Sequence, residues 1–392
     1  NIQRKTRTQT SSQTDIGQFG VDVQRDLLRS VTGKPKDPKV ADHLTGADNL
    51  IASVRIEADG LAKKLDEFGA LADSTEYRNK GFEWIDHFSR VTDPTVIADL
   101  DNTLVKDIKD GKLENIFLAP PSTLDFQDHG GFLYSGERTK IAEKKTDLRI
   151  EEWRARHERK AITLEIIKRE RIRRFAEADN IAVEEFTVYD AIVFETKKPD
   201  FLYALTGGEW YRIEQTHVDA VEAELKVVPL CDIKLPDAKN GELEGDYNER
   251  VCAESKGAYH MLDRKVVMYG GGRSKIEVCD ILTDDKKFVH VKAHIKSATL
   301  SHLFSQGAVS AQCFRDSRFR DEARKKCPDS HAPLFDGNPS PPDYEVVFAI
   351  MSTTAGDIRD ALPFFSKQSL VNAAQIITGL GHPVCITKIA FV

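Results

Sequence analysis

Asp280, His290 and Lys292 are the residues of this chain whose types and spacing come closest to chemistry. An aspartate on one strand and a lysine on the next can hold a divalent cation and a phosphate between them. The carboxylate gives Mg²⁺ a hard oxygen ligand, and the ion keeps waters for in-line attack on phosphorus. The ammonium orients or deprotonates such a water and offsets charge gathering on the phosphate. A second acid would fit two residues before the lysine, on the same face of its strand, but that place holds His290. Imidazole suits Mn²⁺, Zn²⁺ or proton transfer better than Mg²⁺. Three readings stay open: a site that binds without cutting, a metal-dependent nuclease, and a structural arrangement in which Asp280 caps a turn and His290 is a half-buried strand residue.

The elements that must position these residues follow from pattern. Tyr247 to Lys256 reads as a helix that offers Glu249 or Glu254 as the extra acid. Glu254 shares a stripe with Val251 and Ala258, so Asp280 and Glu254 are the expected ligands of Mg²⁺ or Mn²⁺ if the site is catalytic. Strands follow at Lys265–Tyr269, Lys275–Leu282 and Phe288–His294, separated by a triple-glycine turn and by TDDKK, and then a helix at Ser301–Cys313. Nearby groups suit a nucleic acid. Arg273 and Lys275 flank the glycine turn, whose N–H groups can hold an anion. Lys292 and Lys296 extend a basic edge, Ser301 and His302 open a helix, and Gln306 lies one turn further, within reach of a base or sugar. A glycine hairpin and a buried amide are the plainer alternatives.

A second basic feature is the charged stretch Thr146–Glu177, read as helical, in which Arg169 and Arg173 are the foremost phosphate contacts. A solvated helix with Glu–Arg pairs four apart explains the same pattern. From about Phe186 the pattern changes to strands, with Thr206-Gly207-Gly208-Glu209 as a hairpin turn. The expected fold is mixed α/β. Residues 1–145 form a mostly helical region, 146–185 a charged helical connector, and 186–392 an α/β core completed by a C-terminal strand-helix-strand.

The 392 residues carry 56 Lys and Arg against 63 Asp and Glu, a net charge of −7 that disfavours a general nucleic-acid binder and leaves local distribution to decide. No apolar run is long enough to span a bilayer, so no membrane partner is expected. Six cysteines without a CxxC pair point to reduced thiols in a cytoplasmic protein, and argue against zinc.

The α-β-β-β-α-β order around Asp280 and Lys292 resembles the restriction-endonuclease-like core. Five ordered motifs also resemble a family of sporadically distributed bacterial proteins overlapping a domain of unknown function. They include FGVDVQRDLLRSVTGKPKD, FEWIDHF, IFLAPPSTLDF, GGRSKIEVCDIL with FVHVK and TLSHLFSQGAVSA, and LPFFSKQSLVNAAQIITGLG. That family's usual length implies a further N-terminal domain ahead of this chain, and its patchy distribution implies a defence or mobile-element setting. The expected function is nucleic-acid binding, DNA first and RNA second, on a core that is catalytically degenerate or an active endonuclease. The alternative is a structural or sensor subunit that binds a protein partner of a defence system or a second copy of itself.

Overall fold

The computed structural model describes residues 31–392 except 36, 47–48, 81–85, 122–129, 138–143, 146–147, 158–161, 177–180, 264, 270–273 and 294–299. The chain divides into two units, the larger spanning Val91–Tyr211 and Gln215–Val392. The smaller takes in the described residues up to Arg90 with Arg212–Glu214. It carries an antiparallel meander, Val31–Gly33, His43–Gly46 and Leu50–Ser53, and a helix at Leu61–Ala72. The division of the larger unit from the smaller thus falls at residue 90, and the described residues up to 145 mix strands with helices.

Within the larger unit, Pro94–Asp110 is a helix for local reasons. Asp93 caps it by accepting from Thr95 and Val96 N–H, Pro94 occupies the first turn, and Gly111 ends it at φ 75°. Its Leu100, Leu104 and Ile108 pack beside an antiparallel sheet that includes Ile116–Leu118, Ile192–Lys197, Phe201–Thr206 and Glu209–Glu214. The Gly207-Gly208 turn has both glycines at positive φ, as a two-residue hairpin requires.

The stretch read as one charged helix is two short helices and a strand. Ile150–Ala155 and Leu164–Arg169 are helical, while Arg171–Phe175 pairs with both Gly131–Tyr134 and Ala182–Thr187. Trp153, Ile167 and Ile172 are fully buried, so this is core and not a connector. Opposite Arg174 and Phe175 the register shifts, the extra residue lying on the partner strand Ala182–Thr187.

The second large sheet orders its strands Tyr259–Met261, Ile281–Thr283, Lys287–Ala293, Glu345–Ser352 and Val384–Ala390. The first two pairings are antiparallel and the last two parallel. Helices Glu244–Glu254, Leu300–Phe314 and Phe364–Gly379 connect and cover it. Val289, Val291, Val347 and Ala349 face a core shared with Tyr247 and Val251 of the first helix. Leu300–Phe314 packs close on the strands. A Cβ added at Gly307 would come within 2.6 Å of the Phe348 ring, which makes glycine a packing requirement there.

Two sequence expectations change here. The expected strand Lys275–Leu282 is broken: Ser274–Glu277 pairs with Val266–Tyr269 in a separate hairpin, and only Ile281–Thr283 enters the large sheet. The sheet's first strand is instead the short Tyr259–Met261. The cysteines are also not all reduced thiols, because Cys231 and Cys385 form a disulfide with Cα atoms 5.2 Å apart. The sequence hides it, since 154 residues separate the pair.

Candidate functional site

The strand break at Val278–Asp280 sets the site. Asp280 lies in a bend, and its backbone stays tied to the sheet: its N–H donates to Val289 O, and its C=O accepts from Leu262 and Asp263 N–H. Its carboxylate is free to turn along the sheet, where Oδ2 accepts from Val291 N–H at 2.6 Å. Burial pushes this carboxyl well above the usual aspartate range, and the charge of Glu244 is the next largest cause. Asp263 and Glu277 add to the rise, against the Val291 N–H.

Glu244 is the acid that sequence reading missed. It opens the helix Glu244–Glu254, three residues before the expected start, inside a segment that reads as a loop. Its Oε2 lies 3.0 Å from Lys292 Nζ and accepts from Ala293 N–H at 3.2 Å. One turn later on the same helix face is Asn248, fully buried, with Nδ2 donating to Asp263 Oδ2 at 3.5 Å and Oδ1 without a partner. The only signal that could have found them is the spacing of Glu244, Asn248 and Val251 at helical intervals.

The expected helix acids lie elsewhere. Glu254 is at the far end of this helix, exposed and 3.3 Å from Arg250; ten residues of helix put it about 15 Å along the axis from Glu244. Glu249 is exposed. His290 is 2% exposed with its ring 6.0 Å from that of Phe348, and burial alone lowers its pKa to about 3. It is a neutral residue of the apolar layer, and its Nε2 has no hydrogen-bond partner.

Of the expected nucleic-acid contacts, Arg273 and Lys296 lie outside the described residues, as do the side chains of Lys275 and His302. Ser301 Oγ accepts from Ser369 Oγ at 3.0 Å, and Gln306 Nε2 donates to Glu277 Oε2 at 3.3 Å. Arg169 is exposed, whereas Arg173 donates to Glu137 O at 2.8 Å. Neighbouring bases are held by acids: Arg156 by Glu137, Lys168 by Asp101 and Arg174 by Glu184. The 150–175 segment therefore does not form a phosphate-tracking helix.

Among the described residues no group of three His, Cys, Asp or Glu is arranged to hold a metal. Mg²⁺ often needs only one or two carboxylates, with waters and phosphate oxygens completing its shell. Asp280 and Glu244 are the residues here that could serve it.

The fold and the cluster together define a mixed α/β protein with a half-buried acid–lysine pair beside the buried Asp280 at its C-terminal sheet. The chain belongs to the Family of unknown function (DUF6119), whose model matches residues 1–390. No curated protein and no solved structure matches it. Among the described residues no helix is long and apolar enough to cross a membrane.

Proposed function

We propose that the protein binds nucleic acid, DNA in the first place, at the cluster of Glu244, Asp280 and Lys292. The core would be of restriction-endonuclease type, and a divalent cation, Mg²⁺ or Mn²⁺, would complete the site. The observation that carries this reading is Glu244, which brings an acid to Lys292 and Asp280 although the strand position before the lysine holds a buried histidine. A buried carboxyl with a second carboxylate beside it gains most from a cation next to both. Lys292 then meets the phosphate that the cation attracts. Without the cation the acids would repel a phosphate, so binding should depend on the metal. The resemblance to sporadically distributed bacterial proteins is what supports a defence or mobile-element setting for this activity.

The test is labelled single- and double-stranded DNA and RNA with Mg²⁺, Mn²⁺ or EDTA over a salt series, scored for binding and for cleavage. Metal-dependent binding with intact substrate, weakened in Glu244→Gln and Lys292→Ala, is the expected result. Metal-dependent cleavage lost in both variants would make the protein an endonuclease. Binding that ignores metal and both variants would remove the site from the proposal.

One observation favours a different class of partner. The helix Leu61–Ala72 buries none of its residues, and Leu61, Leu65 and Leu71 are each more than half exposed. An apolar face of this kind suits a protein partner. That reading gains if no nucleic acid binds at low salt.

A further inference from the structure

We infer that the Cys231–Cys385 disulfide is a redox-sensitive clamp that holds Glu244 in the candidate site. The inference concerns regulation of the site proposed above and rests on that reading only for its functional consequence. Cys385 lies in Val384–Ala390, the last strand of the large sheet, and is buried, while Cys231 is half-buried. The chain from Pro229 to Asn240 runs along that strand as a strap. It is bonded at one end by Ile386 N–H to Pro229 O and Cys231 N–H to Ile386 O. At the other end Ala238 N–H donates to Ala390 O, and Asn240 N–H to Val392 O. Between these ends the strap holds to the core through the half-buried side chains of Ile233 and Leu235. The disulfide is the one covalent tie that keeps it there.

The strap in turn anchors the start of the helix that bears Glu244. That helix has no side-chain cap at Leu243. Tyr247 instead donates to Pro236 O at 2.7 Å, and Arg250 donates to Asp237 O at 2.9 Å while pairing with Glu242 at 2.7 Å. Glu242 also accepts from Lys239 N–H at 2.8 Å. A strap released at Cys231 therefore loosens the first turn of the helix, where Glu244 meets Lys292 and the Ala293 N–H.

The chemistry is thiol–disulfide exchange with a dithiol reductant. A reductant thiolate attacks the sulfur of Cys231, the less buried of the two, and Cys385 leaves as a thiolate that takes up a proton. The second reductant thiol then displaces Cys231 from the mixed disulfide. Two electrons and two protons pass to the cysteine pair, and the reductant departs as its own disulfide. In reducing compartments such bonds are transient and regulatory, which suits a switch better than a permanent staple.

The experiment is hydrogen exchange on the full chain, oxidised, reduced with dithiothreitol, and as Cys231→Ser, after disulfide mapping by mass spectrometry without reductant. The mapped bond is expected in the oxidised protein. On reduction, and equally in Cys231→Ser, exchange should rise about tenfold or more across residues 232–240 and at the Ala293 amide. The central strand Glu345–Ser352 should keep its protection. Absence of the bond in unreduced protein would overturn the clamp. So would a strap that opens while Ala293 stays as protected as before. Loss of protection at Ala293 in a protein that binds no nucleic acid under any condition would support the clamp and sink the proposed function.

Discussion

Asp101, on the helix Pro94–Asp110, and Asp280, in the bend before Ile281–Thr283, are both nearly buried aspartates, and they are provided for in opposite ways. Asp101, 2% exposed, accepts from Tyr189 OH at 2.6 Å and Trp210 Nε1 at 2.9 Å, and Lys168 Nζ lies 3.0 Å away. Two neutral donors and a cation answer one carboxylate, and nothing remains to be supplied from outside. Asp280 takes the Val291 N–H as its donor, and faces the acids Glu244, Asp263 and Glu277. The same residue type at similar burial is a structural keystone in one half and a candidate ion ligand in the other. What differs is the sign of the neighbours. Buried polar groups that folding satisfies are architecture, and those it leaves short of a partner are candidates for a ligand.

The largest effect should come from the satisfied site. Asp101→Ala leaves Tyr189, Trp210 and Lys168 facing a void, and should cost about 3–5 kcal/mol in urea unfolding. A loss below about 1 kcal/mol would show that the network contributes little. Glu195 comes next as an intermediate case. Burial pushes its carboxyl up to about 7, against the N–H groups of Phe364 and Phe365 and the charge of Lys367. The folded protein then holds a proton that the unfolded chain has released. Stability contributed by this group is full below the unfolded carboxyl range and falls as pH rises from about 4.5 to about 7. The fall amounts to roughly 3 kcal/mol at about 1.4 kcal/mol per pH unit. Glu195→Gln should flatten that slope; an unchanged pH profile would place the titration elsewhere.

At the unsatisfied site, effects should appear in ligand binding before stability. Lys292→Ala is expected to weaken DNA binding about tenfold and to lower the salt slope by about one. Asp280→Asn should change stability by less than about 1 kcal/mol near neutral pH, since the amide oxygen still accepts from Val291 N–H. It should nonetheless abolish the metal dependence of binding. A large destabilisation would make Asp280 a second Asp101 and end the comparison. The smallest effect is Arg173→Ala, which should leave binding unchanged, because that side chain is already engaged with Glu137 O.

Much of this was visible in the residues, and the failures have causes. Local signals carried the helix at Pro94–Asp110, with its capping aspartate and proline, and the Gly207-Gly208 hairpin. They also carried the alternation of Phe288 to Lys292, which marks a strand whatever lies beside it. The Arg171–Phe175 strand was lost because its two buried residues, Ile172 and Phe175, stand three apart among arginines and show no two-residue alternation. The helix at Glu244 began in residues that look like a loop, since Gly241 and Gly245 flank its start and the strap, not a local cap, holds it.

The sequence by itself determined the mixed α/β class, the strand bearing Lys292 and the acid that precedes it at Asp280, because these depend on patterns within a few residues. Only the tertiary structure decided that Glu244 and not Glu254 meets that lysine, that His290 faces Phe348, and that Cys231 finds Cys385. Each depends on which segments, tens to more than a hundred residues apart, fold to the same place. Burial and the charge of neighbours act through space, so the role of an acid is set by what packing brings beside it.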